Sequence, residues 1–395
     1  MEKIYGIVAF VLLVPLVGIL LLWQTNVITI ALPGEQAAAT VLSRTQYTEV
    51  AKWIQSLQYK TNSRDASFGA ITVSDGIAVY EDGTERPLRR VIPYFAHLGV
   101  LGLMDSGASG HLTTTQRWLQ WYMRNRDQSV GVPLDTWYSV DGKYGTTCPK
   151  ANDPLQCNTV DAVDSSAALF LLVADKFVTK GGSKSFVTGN KTAVREIENT
   201  LLSLIDTDGL SWAKENYKIK YMMDNVEVLA GLEAAARLER NVFRDTTRAN
   251  MLTTRANTLR TALYGTTNSF YNASTSQFAV YKDEAGTKGV SNMTTWYPDL
   301  MAQIWPAAFD QNVQVTPRVN AITALTKQLP ARALETGDCA AVKTVTAGAH
   351  APVLGYVLKK AGYTGADPLM KCIYADVRTA YAWPFTVADA GWLIR

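Results

Sequence analysis

The chain has 395 residues, and its 38 Lys and Arg nearly balance 35 Asp and Glu, giving a formal net charge of +3 with no basic cluster. So weak a long-range field excludes nucleic acid as an expected partner. Three histidines far apart in sequence, His97, His111 and His350, and four cysteines without a C-x-x-C pair exclude a zinc cluster, so neither a metal nor a cofactor is expected.

From Ile4 to Trp23 there is no charge and only Pro15 interrupts the apolar run. A stretch of roughly 20 such residues spans a bilayer core as a helix. A cleavable signal peptide, with Ala37, Ala38 and Ala39 near the cleavage site, is the competing reading. The run exceeds the roughly 7 to 15 apolar residues of a signal peptide, which favours a retained anchor. Lys3 precedes the span and no Lys or Arg follows until Arg44, so the N-terminus is expected in the cytoplasm and the rest outside, extracellular or periplasmic. The expected division is a transmembrane anchor over 1–30, a short linker over 31–44 and one domain over 45–395, since no Pro/Gly/Ser-rich stretch splits the remainder. In an exported domain, Cys148, Cys157, Cys339 and Cys372 are expected to form disulfides. Sequence proximity pairs Cys148 with Cys157 and leaves Cys339 with Cys372; free thiols are the alternative.

Tyr47, Val50, Ile54 and Leu57 mark one face of a first helix. Phe68 to Tyr80 suits a short hairpin or extended loop, and Leu88 to Met104 reads as a helix apolar on most sides. Thr113 to Arg126 is polar on one side, whereas Asp161 to Val178 is apolar nearly all round. Val194, Ile197, Leu201 and Leu204 form a stripe, Val226 to Leu238 is again apolar, and Leu252, Ala256, Leu259 and Leu263 form another stripe. Five more helices are expected over Trp296–Ala308, Pro317–Leu329, Ala351–Ala361, Pro368–Tyr381 and Pro384–Leu393, with a hairpin over Phe270–Tyr281. A helix apolar all round belongs in an interior, and a striped one covers it. Their alternation predicts an all-α (α/α)6 toroid of about twelve inner and outer helices; an open solenoid is the alternative, but no fixed-period motif supports it.

Long connections rich in aromatics lead into the inner helices, notably Asn125 to Asp161 with Asp135, Asp206 to Tyr221, and Tyr264 to Thr295. Loops of that length are usually functional. Three inner helices open on similar strings: Asp161-Ala-Val-Asp164, Tyr221-Met-Met-Asp224-Asn-Val-Glu227 and Trp296-Tyr-Pro-Asp299. Each carboxylate could simply cap its helix. Gathered at one mouth, however, Asp164, Asp224, Glu227 and Asp299 would push one another's proton affinities apart, leaving an acid beside a base. Cleavage of a glycosidic bond needs that pair. Trp137, Tyr138, Trp212, Tyr217, Tyr221, Trp296, Tyr297 and Trp383 fall in or beside the mouth segments, and such rings suit sugar faces, or else ordinary packing at helix ends.

The strings Trp53-Ile-Gln-Ser-Leu-Gln, Ile92-Pro-Tyr-Phe-Ala-His97, Val163-Asp-Ser-Ser-Ala-Ala-Leu-Phe170 and Tyr221-Met-Met-Asp-Asn-Val-Glu-Val228 resemble bacterial members of the six-hairpin glycosidase superfamily over most of the chain beyond Thr40. The resemblance is diffuse and has no short diagnostic motif. It implies an (α/α)6 barrel with a carbohydrate cleft and points to Asp164 and Asp224 as cleft carboxylates. The functional expectation is a membrane-anchored extracytoplasmic glycoside hydrolase with a carbohydrate substrate. A non-catalytic carbohydrate-binding or envelope scaffold is the alternative, and a polysaccharide lyase using His97 or an arginine beside Tyr221 is a third.

Overall fold

A computed structural model describes residues 42–76, 88–143, 145–146, 159–265, 267–309, 339–346, 351–363, 365–381 and 384–395. The Ile4–Trp23 span, Cys148, Cys157, Trp383 and the helix expected over 317–329 lie outside the described residues. Among the described residues no helix is long and apolar enough to cross a membrane.

Among the described residues thirteen α-helices run in chain order: α1 (Arg44–Ser56), α2 (Pro93–Ser106), α3 (His111–Arg124), α4 (Val163–Thr179), α5 (Lys184–Gly189), α6 (Lys191–Ser203), α7 (Met222–Leu238), α8 (Thr246–Tyr264), α9 (Met301–Phe309), α10 (Cys339–Val345), α11 (Pro352–Lys360), α12 (Ala366–Val377) and α13 (Val387–Leu393). Helix ends follow local chemistry. At α1, Ser43 Oγ accepts from the Gln46 N–H and the Ser43 N–H donates to Gln46 Oε1, a reciprocal cap. Thr386 and Asp389 cap α13 in the same way. The helix expected from Leu88 starts only at Pro93. Ile92 is held extended by the proline after it, and Leu88–Val91 becomes strand β1 instead.

Six helices close a ring in which each touches the next: α2, α4, α7, α9, α11, α13 and back to α2. The striped helices lie outside it, with α1 on α2 and α13, α3 on α2 and α4, α6 on α4, α8 on α7, and α12 on α11. The ring closes where α2 and α13 approach through glycines. A Cβ on Gly102 would stand 2.0 Å from the Gly391 carbonyl oxygen, and one on Gly391 would stand 2.3 Å from that of Leu98. Gly231 of α7 meets Ala168 of α4 in the same manner.

The connections hold the remaining structure. The long connection after α3 carries strands: β2 (Thr136–Ser139) pairs antiparallel with both β1 and β3 (Gly145–Thr146). Strand β4 (Ile219–Tyr221) leads directly into α7 and pairs with β7 (Tyr281–Asp283). The hairpin expected over Phe270–Tyr281 is present as β5 (Tyr271–Asn272) with β6 (Gln277–Phe278). A π-helical turn, Trp296–Leu300, precedes α9. Cys339 and Cys372 form a disulfide joining α10 to α12, with Cα atoms 5.9 Å apart.

Candidate active site

The ring helices start at one end, so residues distant in sequence meet there. Asp164 lies in the first turn of α4, and Asp224 in the first turn of α7. Glu227 follows three residues later, the spacing that keeps two side chains on one helix face. Asp164 Oδ1 accepts from the Ser165 N–H at 2.8 Å, while its Oδ2 is buried without a hydrogen bond. Glu227 Oε1 accepts from the Tyr94 hydroxyl at 2.7 Å and from Trp305 Nε1 at 3.0 Å, and its Oε2 is likewise buried and unbonded. Tyr94 stands in the first turn of α2 and Trp305 in α9, so four ring helices contribute. Asp164 and Glu227 are sealed from solvent, whereas Asp224 is partly exposed.

No lysine or arginine among the described residues pairs with these three carboxyls. Burial, then the neighbouring Glu227, pushes Asp164 up to about 7, against the Ser165 amide that favours its charged form. Burial and Asp224 push Glu227 up to about 8. Asp224 is raised well above the usual carboxylate range by burial, then by Asp164 and Asp161. Desolvation and mutual repulsion therefore act in the same direction, and the cluster keeps protons near neutral pH. Capping does not account for the group: neither α4 nor α7 has a side-chain cap at its N-terminus.

The fourth expected carboxylate is engaged elsewhere. Asp299 Oδ1 accepts from the Asn292 N–H at 2.6 Å and so fastens the loop before α9. The expected aromatic residues also divide. Tyr138 is buried and its hydroxyl accepts from Trp121 Nε1; Trp137 lies buried beneath the Arg90 guanidinium. Trp212 is covered by Lys220, whose Nζ lies 4.0 Å from the ring centroid, and Trp296 packs into the core. Tyr217, Tyr221 and Tyr297 remain accessible. Tyr297 is 62% exposed, and Asp161, Asp224 and Glu227 help raise its hydroxyl to about 12 after the larger effect of burial, which places it beside the cluster.

Several site residues were not anticipated. Tyr94, Trp305 and Ser165 contact or adjoin the carboxyls, exposed Asp161 acts on Asp224, and Asp135, raised to about 6 by burial despite its 2.8 Å ion pair with Arg90, flanks Asp161. Asp161 and Tyr94 stand in strings singled out in the sequence, at helix starts; nothing local marks Trp305. A separate depression of about 340 Å³, lined in part by Phe68, Arg117, Phe177 and Ser183, opens at the other end of α4. The helical rise puts it about 20 Å from Asp164, so it belongs to a different surface.

No family model matches the sequence, and no curated protein matches it. Solved structures do match. A structure described as a glycosidase aligns with a TM-score of 0.55 at 12% identity, over 89% of this chain and 96% of that one. The two share the same ring of helices. A rhamnosidase of Bacillus sp. GL1 aligns at a TM-score of 0.49 and 12% identity over 85% of this chain and 30% of its own. A cold-adapted family 8 xylanase gives 0.49 and 9% over 91% and 92%. In this six-hairpin ring the likeness is one of architecture, and the chemistry must be argued from the carboxyls themselves.

Proposed function

We propose that the protein is a glycoside hydrolase whose proton donor is Asp224. The observation that carries this reading is the set of three carboxyls, Asp164 and Glu227 sealed and Asp224 partly exposed, gathered at the helix starts without a cation to neutralise them. A scaffold would gain stability by pairing or replacing them; retaining them at that cost fits a catalytic need. Asp224 is the member that reaches solvent and is held protonated, so it can protonate the glycosidic oxygen as the leaving alcohol departs. The anomeric carbon must then be attacked by water activated by a second carboxylate, or by that carboxylate itself. Exposed Asp161, three residues before Asp164 at the entrance to α4, is the candidate for this second role, since Asp164 itself is sealed from solvent. Asp164 and Asp161 help hold the proton on Asp224, and Asp224 in turn acts on Glu227, which Tyr94 and Trp305 fix.

The lyase alternative loses its histidine base, although accessible tyrosines remain. His97 is sealed in the core, accepts from Trp118 Nε1 at Nδ1, and is pushed down to about 3 by burial; Arg90 is engaged by Asp135. The proposal includes an extracytoplasmic location, with the apolar Ile4–Trp23 run as the anchor. The Cys339–Cys372 bridge supports it, because such bonds persist in oxidising compartments. Incubating the full chain with a polysaccharide panel and analysing released sugars tests the activity. Release by the natural protein that vanishes in Asp224→Asn is expected, and equal release by the two would remove Asp224 from the mechanism. Fractionation of expressing cells tests the location, with recovery in the membrane fraction expected.

A further inference from the structure

The ribbon of β4 and β7 carries tyrosines on one face and lysines on the other. Its register sets Tyr221 opposite Tyr281 and Lys220 opposite Lys282. Because side chains alternate along a strand, both lysines turn inward together, where Lys220 pairs with Asp206 and Asp208 and Lys282 bonds the Asn268 carbonyl. The tyrosine face turns toward the mouth. Tyr217 extends it: its ring stacks on Tyr221 with centroids 6.5 Å apart, and the two hydroxyls hydrogen-bond at 3.0 Å. Tyr281 meets Tyr221 edge-on at 6.4 Å.

Among the described residues only four large apolar or aromatic side chains are strongly exposed, and two of them are Tyr217, at 45%, and Tyr281, at 39%. Each is held from behind rather than left loose. Lys214 Nζ sits over the Tyr217 ring while bonding the Val160 carbonyl, and a Cβ on Gly289 would come within 2.2 Å of the Tyr281 ring. Tyr221 is the residue from which α7 starts, three before Asp224, so the row ends at the proposed proton donor. Held aromatic faces beside water suit the C–H faces of sugar rings, and fixing them beforehand lowers the entropy lost on binding. Asp161 stands exposed at the mouth beside Asp224. A glycan bearing carboxylates or sulfates would meet Asp161 there, whereas the ring faces and hydroxyls of the row match an uncharged one.

We propose that the Tyr217–Tyr221–Tyr281 row is an extended platform for an uncharged oligosaccharide of three or more units, which it delivers to Asp224. This rests on the hydrolase reading for the direction of delivery, though binding can be tested without turnover. For the natural protein, kcat/KM is measured on neutral oligosaccharides of two to six units and on uronate-containing ones of matched length. Efficiency should rise about tenfold or more from two units to four in the neutral series alone, and Tyr281→Ala and Tyr217→Ala should each flatten that rise. An unchanged length dependence in both variants, or a preference for the uronate series, overturns the platform. Should neither series be turned over, calorimetry on Asp224→Asn separates the two ideas. Neutral chains that bind, and bind less well once Tyr281→Ala is added, uphold the platform while the hydrolase reading fails; absence of binding overturns both.

Discussion

Asp164, Asp224 and Glu227 have lost water without gaining a cation, so their ionisation is opposed first by burial and then by one another. In the unfolded chain they titrate in the ordinary carboxylate range, whereas folded Asp164 titrates at about 7 and Glu227 at about 8. Between those limits the folded state binds more protons than the unfolded one. The contribution of these carboxyls to stability should therefore be greatest near pH 4 and fall as pH rises toward 8. Glu227→Gln keeps an oxygen for the Tyr94 and Trp305 donors and removes the titration. Its melting temperature should exceed that of the natural protein at pH 8, by the equivalent of about 2 kcal/mol, and the gap should close near pH 4; thermal melts at both pH values check this. Activity follows the same protons. Turnover that uses a protonated Asp224 should decline through an alkaline limb, and a kcat/KM profile still rising above pH 9 would contradict proton donation from this cluster.

Elements are matched by small residues where they cross and by buried ion pairs where they do not. At the closure of α2 on α13, adding a methyl group at Gly391 sets it against the Leu98 carbonyl, which backbone atoms cannot avoid. Gly391→Ala should cost about 3 kcal/mol or more, read as a lower denaturant midpoint, because overpacking a close crossing shifts both helices. In the outer layer, buried Glu239 receives two hydrogen bonds from the Arg195 guanidinium, which also pairs with Asp245, and Glu198 receives one from Arg248. Arg195→Met leaves Glu239 buried without its main partner and should cost about 3 to 5 kcal/mol in the same assay. These are structural ion pairs. The contrast with the unpaired carboxyls at the mouth is what separates the site from the scaffold.

At the scale of the whole molecule, parallel ring helices put every helix start at one end, and that arrangement alone brings Tyr94, Asp164, Glu227 and Trp305 together. The Cys339–Cys372 bridge staples the last part of the ring through a separation of 33 residues. Reduction should lower stability by about 3 to 4 kcal/mol, the loop-closure value for that length, and melts with and without a thiol reductant measure it.

The alternation of all-round and one-sided helices was legible in the sequence because burial leaves a period in the residues themselves; α4, α7, α6 and α8 follow it. Asp164, Asp224 and Glu227 were legible as carboxylates near helix starts, since a charge in an apolar string is a local anomaly. Their accessibility was not: only packing decided that Asp224 meets solvent while Glu227 is closed off beneath Tyr94 and Trp305. Asp299 shows the same gap, because the main-chain amide that engages it belongs to a loop whose path no periodicity records. Of eight aromatics with equal claims by composition, tertiary contacts buried Trp137, Tyr138, Trp212 and Trp296 and left Tyr217, Tyr221 and Tyr297 accessible. The sequence determined by itself which residues had to be covered, through hydrophobic period and capping chemistry. Which polar groups would face one another depended on ring closure, a long-range event that brings together residues from four separate helices.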